Sequence, residues 1–308
     1  MGVWIDTDMG FDDIAAIMVV EASGIMIDGV SLVFGNATLA EVCHNAAGAV
    51  AAFGWTFPIH QGRAQPVFGT LETAQSILGD SGIPTVGLSL PQTVEGLGES
   101  SSFLALCDWL CDGAGEKRIL ALGPLTNIAA LCVARPDLAS KISDLIWMGG
   151  GVTSGNHTAS AEFNAFADPE ALAIVLSHGL PLRMVDLDAC RKVTASPADV
   201  LPIRNAGGKN AALIADLLEG FIGIATSRGR AAMALYDPVA AVAFCSDLVG
   251  WRHARIDVET AGALTRGRTV VESRTGKTGA FNAHFAETVE ADAVKETILE
   301  ALRREAAR

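Results

Sequence analysis

The sequence predicts an α/β protein, a single open domain whose central sheet is mostly parallel and flanked by helices. Short apolar runs rich in β-forming residues alternate with longer segments of helical periodicity, which is typical of strands joined by crossover helices. No linker, break in composition or internal repeat divides the 308 residues. We therefore expect residues 1–308 to form one domain.

The elements follow one another in strand–helix order. The predicted strands are Val3–Asp6, Gly29–Phe34, Phe57–Gln61, Arg118–Leu122, Leu145–Met148 and Leu182–Val185. The predicted helices are Asp12–Ala22, Leu39–Phe53, Ser101–Cys111, Leu125–Ala134, Pro169–His178, Lys209–Thr226 and Pro238–Phe244. Near the end, Arg255–Glu259 and Thr269–Glu272 are predicted to pair as strands, and Ala291–Arg308 to form a charged amphipathic helix.

The composition is that of an acidic globular protein. Lys and Arg number 22 and Asp and Glu 35, for a formal net charge of −13. Nucleic acids and anionic membrane surfaces are recognised by clustered Lys and Arg, so neither is expected as a partner. The first residues lack the basic start and apolar stretch of a signal peptide, and the six scattered cysteines are expected to be free thiols. The cytoplasm is the expected location.

Four carboxylates stand close together directly after the first predicted strand, at Asp6, Asp8, Asp12 and Asp13. Carboxylates packed this closely repel one another, and the positive end of the following helix offers only about 1 kcal/mol of relief. A divalent cation would hold them ionised, and oxygen ligands without a nearby thiol or His suit Ca²⁺ or Mg²⁺. The alternative is a helix N-cap within a solvated acidic turn.

Polar residues also follow the other predicted strands. Asn36 comes after the second strand, Leu122–Pro124 ends the fourth, and Met148–Gly150 ends the fifth. Parallel sheets bind ligands at the edge where the chain leaves the strands for the helices. This edge is therefore the predicted place of a site.

At these residues the sequence resembles the inosine–uridine preferring nucleoside hydrolases, a family of nucleoside N-ribohydrolases. The matching segments occur in the family's order from residue 3 to about 275. They are Asp6–Asp13, Gly35-Asn36, Gly123–Asn127, Met148–Gly150, Ala161–Asn164 with Ala167–Glu170, Asp237-Pro238 and Gly262–Val271. The resemblance implies the family's single α/β domain, a role in nucleoside salvage, and a homodimer or homotetramer.

The resemblance implies Ca²⁺-dependent hydrolysis of the N-glycosidic bond of a small-molecule ribonucleoside. Asp8 would act as general base toward a water on the ion, and Asn36 would help to place that water and the ribose. Asp12 would accept a hydrogen bond from a ribose hydroxyl. The implied metal ligands are Asp8, Asp13, Asp237 and the backbone carbonyl of Leu122.

The resemblance also assigns the substrate-binding residues. Asn156, Glu162 and Asn164 would grip the ribose on its 5′ side, and Met148 would line the pocket under the sugar. Phe163 is the candidate for stacking. Each has a structural alternative, since Asn156 lies in a turn, and Glu162 and Asn164 precede a helix that they could cap.

Three positions depart from the family pattern. Tyr236 stands where many members have the His that donates a proton to the leaving base, and Pro91–Leu97 lacks a second His that would lie over the base. Met9 replaces the usual Pro of the first turn, which is expected to be a minor change. A phenol, with a pKa near ~10, is a poor acid for a purine leaving group at neutral pH. Tyr236 is therefore expected to contact the base, and the base preference stays open.

Two further groups lie near these positions in the sequence. His157, beside Asn156, is a candidate replacement for the missing proton donor. Arg228 and Arg230, in the segment before Tyr236, could approach the base or lie on a solvated loop face, and the solvated face is the expectation.

Two other functions compete with the hydrolase assignment. A haloacid-dehalogenase-like phosphohydrolase would use Asp6 as nucleophile and Asp8 as acid with Mg²⁺, but Gly10 stands where that pattern has Thr or Val. Alternatively, a family member that retains the ribose site would bind, or would cleave, a different riboside. Tyr236 is the reason for this second alternative.

Overall fold

The structure, a computed structural model, describes residues 2–93, 97, 100–113, 115–275 and 280–308. Its strands are β1 Gly2–Thr7, β2 Met26–Leu32, β3 Ile59–His60, β4 Lys117–Ala121, β5 Ile142–Met148, β6 Leu182–Val185, β7 Thr194–Ala195, β8 Met233–Ala234, β9 Val249–Val258, β10 Thr269–Glu272 and β11 Ala283–Val289. Nine of them form one sheet in the order β10-β9-β11-β6-β5-β4-β1-β2-β3. The strands from β3 to β11 in this order pair in parallel, whereas β9 is antiparallel to both of its neighbours. The predicted fold class is confirmed.

The helices occupy the connections between strands. They are α1 Phe11–Ser23, α2 Leu39–Phe53, α3 Gln75–Leu78, α4 Ser102–Cys111, α5 Thr126–Ala134, α6 Pro136–Ala139, α7 Phe163–Ala167, α8 Pro169–Ser177, α9 Leu187–Cys190, α10 Val200–Arg204, α11 Ala211–Thr226, α12 Asp237–Cys245 and α13 Ala291–Ala306. In the described ranges, none is long and apolar enough to cross a bilayer. The predicted long helices are all present, with ends shifted by one or two residues.

The sheet is buried on both faces, which explains why its inner strands are continuously apolar. In β1, Val3 and Ile5 pack toward α1, α11, α12 and α13, while Trp4 between them packs toward α4, α5 and α8. Successive side chains of a strand point to opposite faces, so a strand covered by helices on both sides has no polar face.

One strand of the sheet was missed in the sequence. β11 pairs with β6 in parallel and with β9 in antiparallel fashion, and so joins the late strand pair to the parallel sheet. Only Ala283 and Ala286 of its seven residues are buried, so it lacks an apolar pattern. Its pairing partners, and not its own hydrophobicity, make it a strand.

The order of the strands places a crevice at one edge. The chain runs outward from β1 through β2 to β3 and then returns to β4 on the other side of β1. The loops that leave β1 and β4 therefore diverge to opposite sides, and the space between them is the usual ligand site of an open parallel sheet.

Candidate functional site

A cavity of about 550 Å³ lies at the carboxyl ends of the central strands. The predicted site residues that line it are Asp8, Asp12, Asn36, Leu122, Met148, Asn156, Glu162, Phe163, Asn164, Tyr236 and Asp237. Asp13 does not line the cavity, but its carboxylate lies beside those of Asp12 and Asp237. The fold thus gathers all of these residues, which are spread over most of the sequence, around one space.

Four carboxylates, those of Asp8, Asp12, Asp13 and Asp237, form what we call the acidic cluster. Oxygen atoms of Asp12, Asp13 and Asp237 all lie within 4.8 Å of one another. Asp13 also makes carboxyl–carboxyl contacts with Asp8 and Asp237. The prediction named Asp8 among the metal ligands and gave Asp12 to the ribose, whereas this closest group contains Asp12 and not Asp8.

Asn36 holds the two carboxylates that follow β1. Its side-chain amide donates to Asp8 Oδ1 at 2.9 Å and to Asp13 Oδ2 at 3.2 Å, and its backbone N–H donates to Asp8 Oδ2 at 2.7 Å. The preceding residue must be glycine, because a Cβ on Gly35 would stand 1.9 Å from Asp8 Oδ2. Asn36 therefore orients the predicted base, and its side chain also faces the cavity.

Burial and mutual repulsion disfavour the ionised form of the carboxyl groups in the acidic cluster. Burial, followed by the charge of Asp13, raises the pKa of Asp8 and of Asp237 well above the ordinary value, and raises the pKa of Asp12 to about 8. In the described ranges, no Lys, Arg or His forms an ion pair with any of the four carboxylates. Carboxylates in contact must share protons or a cation, so this oxygen donor set fits a hard divalent ion.

The turn between β1 and α1 is strained at one residue. Met9 has φ 48°, in the left-handed region, and its N–H donates to Thr7 Oγ1 at 3.0 Å. Asp13 closes the turn by accepting from Thr7 Oγ1 and from the Gly10 N–H. The replacement of the family's usual Pro by Met is therefore not the minor change we predicted, since proline cannot adopt a positive φ.

Replacing Met9 with proline is expected to destabilise the protein by roughly 2–4 kcal/mol. The variant loses the hydrogen bond to Thr7 and cannot keep the observed φ. Urea unfolding of the purified variant measures the change. Met9→Leu is the control and should cost less than about 1.5 kcal/mol. A Met9→Pro variant as stable as the parent protein would show that the turn adopts another conformation.

Glu162 and Asn164 form one wall of the cavity. Glu162 has the helix-capping role that was its structural alternative, and Asn164 has a second role. Glu162 caps α7 by accepting from the Asn164 and Ala165 N–H groups at 2.7 and 2.9 Å, and it also accepts from Gly150 N–H at 2.8 Å. Asn164 Nδ2 donates at 2.8 Å to the carbonyl of Leu122, the predicted metal-ligating carbonyl. These two residues therefore fix the backbone that surrounds the cavity.

Replacing Glu162 with glutamine is expected to destabilise the fold by roughly 1–3 kcal/mol, because the amide NH₂ then faces backbone N–H donors. Burial raises the pKa of Glu162 to about 7, so the parent protein loses stability as pH rises through this range, whereas glutamine does not titrate. The loss of stability caused by the substitution should therefore be larger at pH 5.5 than at pH 8. Thermal unfolding at both pH values tests this. An equal loss of stability at both pH values would contradict this expectation. Glu116→Gln, at an exposed residue, is the control.

The segment 151–161, which carries Asn156, is held from two sides. From α9, Asp188 accepts from two of its backbone N–H groups at 2.8 Å, and Arg191 donates to a backbone carbonyl at 2.7 Å. From β10, Arg268 and Thr269 each donate to a further carbonyl at 2.8 Å. The wall is thus fixed before a ligand binds.

Asn156 and Phe163 contact each other at this wall. Asn156 Oδ1 accepts from the Phe163 N–H at 3.0 Å. Asn156 therefore has a structural contact and also lines the cavity. The ring of Phe163 lies edge-on to that of His157, with 5.4 Å between centroids. Both rings line the cavity, and burial lowers the pKa of His157.

Tyr236 lies on the opposite wall. Its ring packs edge-on against Phe221, with 6.5 Å between centroids. Burial, followed by the nearby Cys190 thiol, raises the pKa of the phenol to about 12. The phenol therefore stays protonated at neutral pH and is a still weaker acid than an exposed tyrosine. Of the other predicted departure, in Pro91–Leu97, residues 94–96 lie outside the described residues.

Asp6 is not part of the cavity. Its side chain is fully buried within β1 and accepts from Ser31 Oγ and from Asn127 Nδ2, the latter at 2.8 Å. Asn127 also receives the Arg63 N–H, so the Gly123–Asn127 motif ties β1 to the loop after β3. A nucleophile must reach its substrate, and this geometry contradicts the phosphohydrolase alternative.

Three arginines that line the cavity were not assigned to the site. Arg191 follows Asp186 and Asp188 at the end of β6, where the strand-end rule applied to the other strands would have found it. Arg228 and Arg230 are exposed, as expected, but they also line the cavity. No sequence pattern places them there, because they reach it through the path of the chain after α11.

Comparison with known proteins gives a consistent result. A sequence model described as inosine-uridine preferring nucleoside hydrolase matches residues 3–296. A probable uridine nucleosidase 2 of Oryza sativa subsp. japonica is 33 % identical over 276 residues, which cover 88 % of this chain and 81 % of that protein. The pyrimidine-specific ribonucleoside hydrolase RihA of Escherichia coli is 30 % identical over 275 residues, 88 % of each chain. A solved purine-preferring ribonucleoside hydrolase from Gardnerella vaginalis superposes with a TM-score of 0.89 at 23 % identity, covering 100 % of this chain and 99 % of that one.

Proposed function

This chain belongs to the inosine–uridine preferring nucleoside hydrolase family, and from that premise we propose that it hydrolyses the N-glycosidic bond of ribonucleosides to free base and ribose. The observation that carries the proposal is that one cavity is lined both by Asp8, Asp12 and Asp237 of the acidic cluster and by Asn156, Glu162 and Asn164. A ribose carries several hydroxyl groups, and this cavity offers both carboxylates and amides to bind them.

The residues of the cavity have different roles in the proposed reaction. Asp8, held by Asn36, accepts the proton of the attacking water, which is the task of a general base. Asp12 accepts a hydrogen bond from a ribose hydroxyl. A divalent cation, if held by the acidic cluster, would supply charge that lowers the pKa of water and would orient the ribose hydroxyls. Breaking the bond gives the sugar oxocarbenium character, so contacts to those hydroxyls strengthen in the transition state.

We propose Ca²⁺ as the cation, with Asp8, Asp13, Asp237 and the Leu122 carbonyl as ligands. The donor set is oxygen only and mixes carboxylate with carbonyl groups, which suits a hard ion of high coordination number. Asp12 lies close enough to Asp13 and Asp237 to join or replace Asp8 in this set. We also propose that the protein is a cytoplasmic homodimer or homotetramer that acts in nucleoside salvage.

A second candidate function is binding or cleavage of a different riboside. The observation that favours it is that the phenol of Tyr236, packed edge-on against Phe221, lines the cavity at the position where many family members have a proton-donating His. Burial raises the pKa of this phenol to about 12, which makes proton donation to an unactivated base unfavourable. This candidate keeps the same ribose and metal residues.

Release of reducing sugar from uridine, inosine, cytidine and 4-nitrophenyl riboside, with and without EDTA, tests these proposals. The proposed function expects release from at least one nucleoside, lost with EDTA and restored by Ca²⁺. Release from the nitrophenyl riboside alone, whose leaving group needs little protonation, would support the second candidate. No release from any substrate in the presence of Ca²⁺ would overturn the hydrolase assignment for these ribosides.

A further inference from the structure

Two guanidinium groups without a protein partner line one wall of the cavity. Arg228 and Arg230 form no hydrogen bond or ion pair through their side chains to any residue in the described ranges. Arg191, in contrast, is fixed by Ser154 and by the backbone of segment 151–161. In a chain with 35 acidic side chains and 22 basic ones, two neighbouring arginines that face a cavity and leave all their donors free are available to a ligand.

These arginines lie at the part of the cavity that the proposed function leaves for the base. The proposed function places the ribose hydroxyls on the acidic cluster and the 5′ side on the wall of Glu162 and Asn164. The walls that remain are α3 and the segment from the end of α11 to Tyr236. The lining residues of α3 are uncharged, so any charge that reaches the base from these walls comes from Arg228 and Arg230.

We propose that Arg228 and Arg230 stabilise the base as it departs as an anion, and that this replaces proton donation by the missing histidine. This inference rests on the proposed function. When the bond between C1′ and the base nitrogen breaks, its electron pair passes to the ring and onto a ring carbonyl oxygen. The water oxygen forms the new bond to C1′, and its proton goes to Asp8. The base anion later takes a proton from solvent.

The other candidates for this role are weaker. Tyr236 offers a phenol, which is a poor acid at neutral pH, and its ring packs edge-on against Phe221. The ring of His157 is held against Phe163 and Phe166, with 5.4 and 4.5 Å between ring centroids, and burial lowers its pKa. A guanidinium remains charged at any working pH and carries donors only. Bases with ring carbonyl oxygens therefore fit this wall, whereas an amino group placed against it finds no acceptor on either guanidinium.

The test compares two leaving groups in the Arg228→Gln, Arg230→Gln and double variants. Stabilisation of a developing negative charge accelerates bond cleavage most when the leaving group is a poor one. We expect kcat/KM for uridine to fall about 10- to 100-fold in the double variant. The value for 4-nitrophenyl riboside, which leaves as a stable anion unaided, should change less than about threefold. Arg228→Lys with Arg230→Lys keeps the charge and should restore part of the uridine activity.

Control measurements separate this inference from folding and from the proposed function. Arg252→Gln, at an exposed arginine of β9 that pairs with Glu287, should leave both substrates unaffected, and thermal unfolding checks that each variant is folded. Equal losses for both substrates would overturn the inference, because the arginines would then act on the ribose or on the fold. Unchanged uridine hydrolysis in the folded double variant would also overturn it. In both cases the parent protein still hydrolyses ribosides, so the proposed function stands; an inactive parent protein overturns both.

Discussion

Replacing Asp8 with asparagine is expected to lower kcat for riboside hydrolysis by roughly 10³–10⁴-fold. This carboxylate is buried and is oriented by two hydrogen bonds from Asn36, which lies in the turn after β2. An amide cannot accept the proton of water, and its NH₂ group would face the donors of Asn36. Initial rates with 4-nitrophenyl riboside at saturating Ca²⁺ measure the effect, since this substrate does not depend on the leaving-base wall.

The control for this variant is Asp112→Asn, which makes the same chemical change at an exposed residue after α4. It should retain full activity. Calcium affinity is measured in parallel, because loss of a metal ligand weakens Ca²⁺ binding, whereas loss of a general base that is not a ligand does not. If Asp12, Asp13 and Asp237 form the ligand group, Asp12→Asn should weaken Ca²⁺ binding more than Asp8→Asn does. Retention of more than about a tenth of the activity by Asp8→Asn would contradict its role as base.

Removal of divalent cations is expected to abolish hydrolysis and to lower the Tm, by more at pH 8 than at pH 5.5. Folding raises the pKa of each carboxyl group in the acidic cluster above the ordinary value, to about 8 for Asp12. Between the unfolded and folded pKa values the folded state binds more protons, so the metal-free protein loses stability as pH rises through that range. A cation replaces those protons at high pH and is worth about 2.7 kcal/mol at a hundredfold excess over Kd.

Differential scanning calorimetry of the EDTA-treated protein, with and without Ca²⁺, checks both parts of this expectation. The shift in Tm on adding Ca²⁺ should be large at pH 8, small at pH 5.5, and reduced at pH 8 in Asp237→Asn. Asp112→Asn should respond as the parent protein does. If adding Ca²⁺ leaves the Tm unchanged at both pH values, the acidic cluster holds protons instead of a metal ion.

Much of this molecule could be predicted from the sequence because the determining interactions are local or periodic. The inner strands of a sheet covered on both faces must be apolar throughout, and β1, β4, β5 and β6 are recognisable for that reason. The glycines that end α1 and α2 have positive φ, and the helices stop where predicted. The motif Asp6–Asp13 likewise contains its own turn, so it indicated a cation site before any tertiary contact was known.

Other features depend on contacts between distant parts of the chain. Asp6 and Asp8 are two residues apart and equally acidic, yet one is sealed between Ser31 and Asn127 and the other opens into the cavity. Alternation along a strand does not separate them, because residues two apart point to the same face. β1 ends at Thr7, so Asp8 lies past the strand, and only its packed neighbours decide its surroundings. β11 is a strand for the same reason, since β6 and β9 provide its hydrogen bonds.

The sequence by itself determined the fold class and the family, and it marked Asp8, Asp12 and Asp13 of the acidic cluster, because each of these depends on a short motif or a repeating pattern. It also grouped Asp6 with them, which the structure places outside the cavity. Only the tertiary structure decided that Glu162 caps α7, that Met9 holds a positive φ, and that Arg228 and Arg230 face the cavity. These depend on where a backbone is forced to run once the sheet and helices have packed. That path is set by burial summed over the whole chain, and no local pattern contains it.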